Sequence, residues 1–307
     1  MKAKYAIFVH VFSDFHFSFV ANWKLQSTPL CSNGLIILNK PAGLVAQGGE
    51  HALESKTKTL EYILEDLTTS LSLRSKPLPV HRLDKQTTGA LILARNPQVA
   101  QALSSQLRRS STSTITKTYL AVVRGSFEPY SSGEVRKNLF IDNGRVSTQR
   151  TSKEADCREV PTHTIWRCLS STKGISLMEL GLRTGAKHQL RVTMAQILNA
   201  PILGDHIYGV ANLGDEPGLM LHSASLDILR YLRKPVFGNR TYRLGLVIPP
   251  PSAFLSTCKS SGLSIDERWT KVPVRVTIDG LEIPYDPSSS LDEEAVIEAL
   301  RKSRTGS

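Results

Sequence analysis

The stretch HRLDKQTTGALILA, residues 81–94, joins a charged loop to a continuous apolar run. The run at 89–94 predicts a β-strand, and a proline-containing loop precedes the charged part. Asp84 therefore stands on a loop aimed by a sheet, a place where catalytic groups often lie. Its neighbours Arg82 and Lys85 favour the ionised carboxylate. The segment predicts either a nucleophile or base, or a turn aspartate that binds backbone amides.

Helix and strand patterns alternate irregularly along the rest of the chain. Strands are predicted at 35–38, 89–94, 118–123, 175–182 and 244–248, and a hairpin around Asp279-Gly280. Helices are predicted at 57–67, 97–109, 187–198 and 291–301, with Asn96 as the cap of the second. Residues 130–152 are polar and basic, and predict a mobile surface excursion or an ordinary hairpin loop. The mixture favours an α+β fold with a largely antiparallel sheet.

The charge balance favours a polyanionic partner. Lys and Arg number 38 against 27 Asp and Glu, which gives a formal charge of +11 and a pI near 9.6. Each phosphate contact releases a condensed counterion, so nucleic acid is a favoured partner, and a basic protein that is merely soluble is the alternative. No apolar run approaches the ~20 residues that span a bilayer, so no membrane association is predicted.

The four cysteines are scattered, at positions 31, 157, 168 and 258, and form no C-x-x-C pair. Free thiols in a reducing compartment are the favoured interpretation. A zinc site built from Cys157, His163 and Cys168 is the alternative, although these residues lack the paired spacing of zinc ligands. The sequence therefore predicts no bound metal.

A second charged cluster occupies residues 183–191, RTGAKHQLR, between a predicted strand and a predicted helix. Three cations and a histidine at such a junction predict a phosphate or carboxylate site. A solvated basic helix start is the alternative. Upstream, Tyr119 lies in a predicted strand and is either a core residue or a stacking platform for a base.

Six segments occur in a fixed order along the chain. They are KPAG (40–43), HRLDKQTTG (81–89), KTYLAVVRG (117–125), LRTGAKHQLR (182–191), APILGDHIYG (200–209) and LMLHSASL (219–226). In this order they resemble the RluA family of pseudouridine synthases, over roughly residues 34–250. HRLD followed by T-[ST]-G is the most specific of them.

The resemblance implies the pseudouridine synthase fold, a long mixed and mostly antiparallel sheet with flanking helices and a central cleft. It implies that Asp84 is the catalytic carboxylate and acts at C1′ of the target uridine. Arg82 would take the place of the flipped base, Tyr119 would stack on the uracil, and Arg191 would pair with Asp84. The family uses no metal and no organic cofactor.

The same resemblance implies a substrate-binding set next to these residues: His81, Lys117, Lys187, His188, Gln189 and Leu221. The chain departs from the family pattern at Ala186, where an arginine is usual, so Lys187 is predicted to contact a phosphate instead. Thr193 stands where many members have histidine, and the stretch from Arg191 to Pro201 is one residue longer than the family pattern.

Three regions are expected. Residues 1–33 form a leader, basic and nearly free of acidic residues, compatible with a mitochondrial presequence or with a leader of no function. Residues 34–255 form the catalytic domain, and residues 256–307 form a C-terminal extension with a hairpin and a terminal helix. The mitochondrion is the expected location, with the cytoplasm as the alternative.

The expected activity is that of a monomeric RNA pseudouridine synthase acting on large-subunit ribosomal RNA, in mitochondria if the leader is a presequence. A tRNA target is the alternative within the enzyme class. Outside it, a non-catalytic RNA-binding factor could use the same fold, and a generic basic binding module is the third reading. The intact Asp84 argues against the RNA-binding factor, because a pure binder does not need a carboxylate facing phosphates, and the ordered motifs argue against the generic module.

Overall fold

The computed structural model describes residues 7–10, 28–31, 34–46, 60–70, 72–108, 115–150, 157–209, 218–271, 274–284 and 293–305. Contacts between Cα atoms divide the chain into two compact units. The first unit takes residues 1–115, 225–249 and 268–307, and the second takes residues 116–224 and 250–267. The extension expected at 256–307 is thus divided between the two units.

The strands follow one another along most of the chain. They are β1 (Ile7–His10), β2 (Thr28–Cys31), β3 (Leu35–Lys40), β4 (Leu78–Pro79), β5 (Thr88–Ala94), β6 (Ile115–Arg124), β7 (Ser132–Asp142), β8 (Arg145–Ser147), β9 (Arg158–Thr172), β10 (Ile175–Leu182), β11 (Leu221–Val236), β12 (Asn239–Val247), β13 (Arg275–Ile278) and β14 (Leu281–Ile283). The helices are α1 (Leu60–Ser70), α2 (Pro97–Arg108), α3 (Gln189–Val192), α4 (Ser252–Ser260), α5 (Glu267–Thr270) and α6 (Glu293–Thr305). A π turn, Thr193–Ile197, follows α3 directly.

In the first unit, β3 and β5 pair antiparallel from Leu35 with Ala94 to Lys40 with Gly89. β1 runs parallel to β3, and β2 pairs antiparallel with β1. β11, β12, β13 and β14 form an antiparallel series in chain order. The last turn, Asp279-Gly280, has positive φ at both residues, so the predicted hairpin is confirmed.

One apolar core holds the first unit together, with α2 and α6 packed on the strands. Asn96 caps α2 as predicted, because its Oδ1 accepts a hydrogen bond of 2.9 Å from the Val99 amide. Both helices contribute leucines to the core, and the strands contribute leucine, isoleucine, valine and alanine residues. Its buried members include Leu35, Ile37, Ile92, Leu103, Leu226, Ile228, Leu244, Val276, Val296 and Leu300.

In the second unit, the strand order is β6, β10, β9, β7 and β8, with every neighbouring pair antiparallel. Residues 130–152 contribute β7 and β8, so the hairpin interpretation is right and the excursion is wrong. β7 pairs with β9 over ten residues, a partner that the local sequence does not reveal. The α+β class with mostly antiparallel pairing is confirmed.

The helix predicted at 187–198 is interrupted. α3 covers four residues, and Leu198 then donates its amide hydrogen to the Thr193 carbonyl at 3.1 Å, five residues back. Such π turns hold more residues than an α-helical turn. This one lies inside the stretch that is one residue longer than the family pattern. Among the described helices, none is both long and apolar enough to cross a membrane.

Candidate active site

The loop that contains Asp84 lies in the first unit, between β4 and β5. Pairing of β3 with β5 ends at Lys40 and Gly89, so the turn after β3 and the loop before β5 lie at the same end of the sheet. The two segments are joined by a backbone hydrogen bond of 2.9 Å from the Gly43 amide to the Lys85 carbonyl.

The side chain of Lys40 is the centre of this arrangement. It is fully buried, and its Nζ donates hydrogen bonds of 2.9 Å to the carbonyls of Pro41, Lys85 and Thr87. Three acceptors match the three N–H groups of an ammonium. Lys40 therefore ties the turn after β3 to two carbonyls that follow Asp84 in its loop.

Burial lowers the pKa of Lys40 to about 7, and the nearby Asp84 carboxylate opposes this shift. The ordinary value for lysine is near 10.4. Lys40, whose hydrogen bonds hold the Asp84 loop, therefore has a pKa near neutral pH.

The side chain of Asp84 is half-buried, and its loop contains both buried and exposed residues. Leu83 is buried beneath the loop, while Arg82 and Lys85 on either side are exposed. The Asp84 carbonyl accepts a hydrogen bond of 3.1 Å from the Thr87 amide, which closes a tight turn. The backbone of Asp84 is therefore fixed, and its neighbours in sequence include two exposed cations, Arg82 and Lys85.

His81, which is predicted to bind substrate, also attaches this loop to β5. Its Nε2 accepts a hydrogen bond of 2.9 Å from the Ile92 amide of β5. That nitrogen must be unprotonated, since a backbone amide can only donate. One of the two ring nitrogens is therefore used to attach the loop to the sheet, which corrects the simple picture of a substrate-facing imidazole.

In the second unit, β6 presents Lys117 and Tyr119 opposite β10. Lys117 lies opposite Leu182, and Tyr119 lies opposite Leu180 and is buried. Burial lowers the pKa of the half-buried Lys117. Its Nζ lies close to Gly185, because a Cβ built on that glycine would be 3.6 Å from the nitrogen. The roles of both side chains toward substrate stay predictions.

Gln189 is predicted to bind substrate, and in the structure its side-chain amide makes four hydrogen bonds within the protein. Its Oε1 accepts hydrogen bonds from Thr184 Oγ1 at 2.9 Å and from the Ala186 amide at 3.1 Å. Its Nε2 donates to the His163 carbonyl at 3.1 Å and to Thr164 Oγ1 at 3.0 Å. The side chain is only 2% exposed, and its donors and acceptors are all used in holding the turn before α3 against β9.

Arg191 is buried and forms a bidentate pair with Asp205. Its Nε donates to Oδ2 at 2.8 Å and its Nη2 donates to Oδ1 at 2.6 Å. Oδ1 also accepts from the amides of Ile207 and Tyr208. The guanidinium carbon lies 5.4 Å from the centre of the Tyr208 ring. The Tyr208 hydroxyl in turn lies 2.9 Å from Nδ1 of His188.

The Asp205 carboxylate is therefore a fixed anion. Burial alone would raise the pKa of Asp205, but the Arg191 hydrogen bonds and charge and the two backbone amides lower it overall. Arg191 was predicted to pair with Asp84, whereas the carboxylate that it binds in the second unit is Asp205. The predicted partner Asp84 lies in the first unit, and Arg191 lies in the second. The contact between them stays a prediction.

Lys187 and Leu221 are also placed within the second unit. Lys187 Nζ donates a hydrogen bond of 2.6 Å to the Gly144 carbonyl, in the turn between β7 and β8. The prediction that Lys187 serves a phosphate is thus corrected in part, since one of its three N–H groups holds this hairpin. Leu221 is 3% exposed at the start of β11. Its predicted contact with substrate stays a prediction.

Ligand-type residues do not gather into a metal site in the described part of the chain. No group of three His, Cys, Asp or Glu side chains there is placed to hold an ion. The cysteines at 157, 168 and 258 are buried free thiols. Burial raises the pKa of Cys258 to about 11, which keeps that thiol protonated and unreactive at neutral pH.

A carboxylate on a braced loop, in a strongly basic chain, is typical of an enzyme that acts on an anionic polymer. The family described as RNA pseudouridylate synthase matches residues 34–196, more than half of the chain. The chain therefore belongs to that family, in agreement with the RluA resemblance. The matched region contains Arg82, Asp84, Tyr119 and Arg191.

Similar proteins carry the same description. Over 199 residues the chain is 36% identical to "Ribosomal large subunit pseudouridine synthase D" of Borreliella burgdorferi, which covers 64% of this chain and 59% of that protein. It is 34% identical over 201 residues to an uncharacterized RNA pseudouridine synthase of Zymomonas mobilis, covering 66% of this chain and 86% of that protein. The chain thus spans less than two thirds of the length of the Borreliella protein.

A mitochondrial protein and a solved structure add to this. The chain is 34% identical over 193 residues to "Pseudouridylate synthase RPUSD4, mitochondrial" of Xenopus tropicalis, with 57% of each protein covered. The solved structure "Human RNA Pseudouridylate Synthase Domain Containing 4" is 26% identical, with a TM-score of 0.57 over 76% of this chain and 92% of that chain. The fold expected from the sequence is therefore confirmed.

Sequence reasoning missed the supporting roles of Lys40 and Asp205. Both residues lie in segments that carried the resemblance, KPAG and APILGDHIYG, but no chemistry was assigned to either. A charged residue next to a proline turn at a strand end was the only local signal for Lys40. Asp205 could have been paired with a cation only by knowing that residues 191 and 205 meet in space.

Lys40→Met tests the buried ammonium. Wild-type Lys40 is protonated in the unfolded chain up to about pH 10 but only up to about pH 7 when folded, so wild-type stability should rise with pH between these values. Met has no such linkage. Denaturant titrations should show the free energy of unfolding of wild type gaining on that of the Met variant by up to about 1.4 kcal/mol per pH unit above pH 7. A difference that stays constant from pH 7 to 9 would contradict the lowered pKa.

Asp205→Asn tests the buried ion pair. It leaves the buried Arg191 guanidinium without its anion, which should lower the free energy of unfolding by about 3 kcal/mol or more. Asp227→Asn is the matched control, because Asp227 pairs with Arg243 where both side chains are about 40% exposed. The control should cost less than about 1 kcal/mol. Equal losses in urea titrations of the two variants would show that the buried pair is no more important than the surface pair.

Proposed function

We propose that this chain is an RNA pseudouridine synthase in which Asp84 is the catalytic carboxylate. The observation that supports this most directly is the placement of Asp84. It lies on the solvent side of a loop braced by the buried Lys40 ammonium, within the region that matches the family. A half-buried carboxylate on a loop with a fixed backbone is placed as a nucleophile or base must be.

The reaction is an isomerisation and is balanced within the nucleotide. The bond from N1 of uracil to C1′ of the ribose breaks, the uracil turns, and a bond from C5 to C1′ forms. The hydrogen on C5 leaves as a proton, and N1 takes one up, so no oxidant, reductant or second substrate is consumed. One carboxylate at C1′ is sufficient acid–base or nucleophilic equipment for this sequence.

The other residues have roles that follow from where they lie in their own units. Arg82 is exposed, as a side chain that fills the gap left by an extruded base has to be. Extrusion costs a few kcal/mol, and filling the gap offsets part of it. Tyr119 would stack on the detached uracil and keep it from diffusing away. Arg191, held rigid by Asp205, would pair with Asp84.

A peripheral set would hold the RNA around the reacting nucleotide. Lys117 and His188 are half-buried beside the turn before α3, where they can reach a phosphate or a base edge. Lys187 would share its ammonium between the Gly144 carbonyl and a phosphate, and Leu221 would contact the uracil ring. Gln189 is left out of this set because its hydrogen bonds are all internal.

Asp84→Asn tests the assignment. The amide cannot act as a nucleophile or base, so release of tritium from RNA labelled at C5 of uridine should fall by about a thousandfold or more. RNA binding should survive, since the side chain keeps its size. Asp66→Asn, on the exposed face of α1, is the matched control and should leave tritium release unchanged.

Two results would contradict the proposal in different ways. Tritium release by Asp84→Asn within tenfold of wild type would remove Asp84 from the chemistry. Tight RNA binding by wild type with no tritium release from any RNA would favour a non-catalytic RNA-binding factor on the same fold.

We propose further that the substrate is large-subunit ribosomal RNA in mitochondria and that the protein acts as a monomer. The supporting facts are the names of similar proteins, a ribosomal large subunit enzyme in Borreliella and mitochondrial enzymes in Xenopus and Arabidopsis. The basic residues of the 1–33 segment agree with import into mitochondria.

Loss of the gene should remove a pseudouridine from mitochondrial large-subunit RNA. Pseudouridine mapping in ribosomal RNA and tRNA, with and without the gene, measures this directly. Re-expression of wild type should restore the site, and re-expression of Asp84→Asn should not. If a pseudouridine is lost only from tRNA, the target is tRNA and not ribosomal RNA. If one is lost only from cytoplasmic RNA, the proposed mitochondrial location is wrong.

A further inference from the structure

The turn that joins β11 to β12 contains an unusual aromatic residue. Phe237 has a φ of +47° and Gly238 a φ of +79°, so both lie in the left-handed region, as a type I′ turn requires. Asn-Gly is the favoured pair in such a turn, whereas a bulky side chain at positive φ is an outlier. Phe237 is also 62% exposed. The fold gains neither turn geometry nor core packing from this phenylalanine.

The residues around Phe237 form what we call the basic hairpin tip, residues 231–240. Tyr231 is a second exposed aromatic, at 55%. Lys234 and Arg240 are exposed within three residues of Phe237, which limits their distance from the turn to about 10 Å along each strand. The sequence from 228 to 250 contains five Arg and Lys residues and no Asp or Glu. Two of the five are paired with carboxylates outside this stretch, Arg243 with Asp227 and Arg233 with Glu293, so the exposed cations near the turn itself are Lys234 and Arg240.

A bulge shapes this tip. The stretch from Tyr231 to Val236 spans five residue steps of β11, but its partners from Thr241 to Asn239 span two steps of β12. Pro235 lies within the bulge and has no amide hydrogen for the strand ladder. Bulges commonly re-aim side chains at a sheet edge.

The base of the bulge is fixed to the core of the first unit. Leu232 is buried in that core. The Arg233 amide donates a hydrogen bond of 2.8 Å to Oε1 of Glu293, at the start of α6. Its guanidinium also faces Glu293, 3.9 Å away. In the described part of the chain, no carboxylate pairs in this way with Lys234 or Arg240. Their charges are directed to solvent from a fixed base.

We propose that the basic hairpin tip binds single-stranded RNA, with a base stacked on Phe237 and phosphates bound by Lys234 and Arg240. This rests on the proposed function for the identity of the polyanion. Exposed aromatic side chains between cations are common in sites that bind single-stranded nucleic acid. Each base has a face that can stack on an aromatic ring, and each phosphate carries a negative charge that a cation can bind. Backbone strain kept at an exposed position also points to use by a partner.

A protein partner fits these observations less well. Two aromatic side chains separated by cations do not make the continuous apolar patch that protein interfaces bury. Duplex RNA also fits less well, because its bases are already stacked on each other and offer no free face. Contacts at the tip would add to those around Asp84 and help to choose an RNA with an unpaired segment.

Phe237→Asn separates the binding role from a structural one. Asparagine suits the left-handed turn, so the melting temperature should stay level or rise by roughly 2 °C. Affinity for a labelled single-stranded oligouridine of about 12 nucleotides, measured by fluorescence anisotropy, should fall about five- to a hundredfold. Affinity for a duplex of the same length should change less than twofold.

Tyr130→Asn is the matched control. Tyr130 is 73% exposed and has a φ of +66°, so the substitution is the same at an equivalent backbone position. Its near neighbour in sequence is Glu128 and not a cation. The affinity of the Tyr130→Asn variant for the oligouridine should equal that of wild type. Equal losses in the two variants would overturn the special role of the tip.

Salt titrations test the charged contacts. Lys234→Gln and Arg240→Gln should each reduce the slope of log affinity against log salt by about 0.7, the single-strand value for one phosphate. Phe237→Asn should lower affinity without changing that slope, because stacking releases no counterion. Slopes unchanged in both glutamine variants would overturn the phosphate contacts.

The outcomes distinguish this inference from the proposed function. If wild type releases tritium from uridine-labelled RNA but Phe237→Asn binds RNA as tightly as wild type, the inference fails alone. If Phe237→Asn instead changes only the sedimentation of the protein, the tip is a protein contact and the inference also fails. If wild type neither binds RNA nor releases tritium, both proposals fail together.

Discussion

The position of Asp84 depends on one buried cation. An ammonium without hydrogen bonds inside a protein costs far more than any single contact returns, so Lys40 is tolerated only because three carbonyls receive it. Those carbonyls belong to two segments that are more than 40 residues apart in sequence. Each segment can relax only by leaving an acceptor or the ammonium unsatisfied. The loop geometry at Asp84 is therefore determined by the bonding requirement of a residue that need not touch substrate.

The second unit uses the same principle with other groups. Gln189 and the Arg191–Asp205 pair are buried, and nearly every donor and acceptor in them is matched. Polar groups that are satisfied in this way are rigid, because rotation of one breaks bonds in several others. The turn before α3 and the segment that contains Asp205 are thereby held to one another and to β9. Residues beside them, such as Lys117 and His188, are thereby held in a defined position.

Local signals were sufficient for part of the fold and insufficient for the rest. β5, β10 and α2 follow from apolar runs and a capping residue, which are properties of a few adjacent residues. β9 does not, because it contains Pro161, which usually argues against a strand. The proline is tolerated because residues 158–163 of β9 pair with β7 and lie beyond the stretch that pairs with β10. At the site, the order of segments pointed to Asp84 and Arg191, but the internal hydrogen bonds of Gln189 could not be predicted, because a buried amide and a substrate-binding amide have the same letter in a sequence.

The π turn at 193–197 bears on how this family can vary in length. In an α-helix, one added residue rotates everything after it by about 100°, which would turn the following segment away from its contacts. A wider turn takes up the added residue within itself and cancels most of that rotation. The π turn can thus accommodate the surplus residue predicted after Arg191, while Asp205, fourteen positions on, still meets the guanidinium. Length differences between relatives at this place should consequently appear as a change between α-helical and π-helical turns. The residues after the turn would then keep the same orientation.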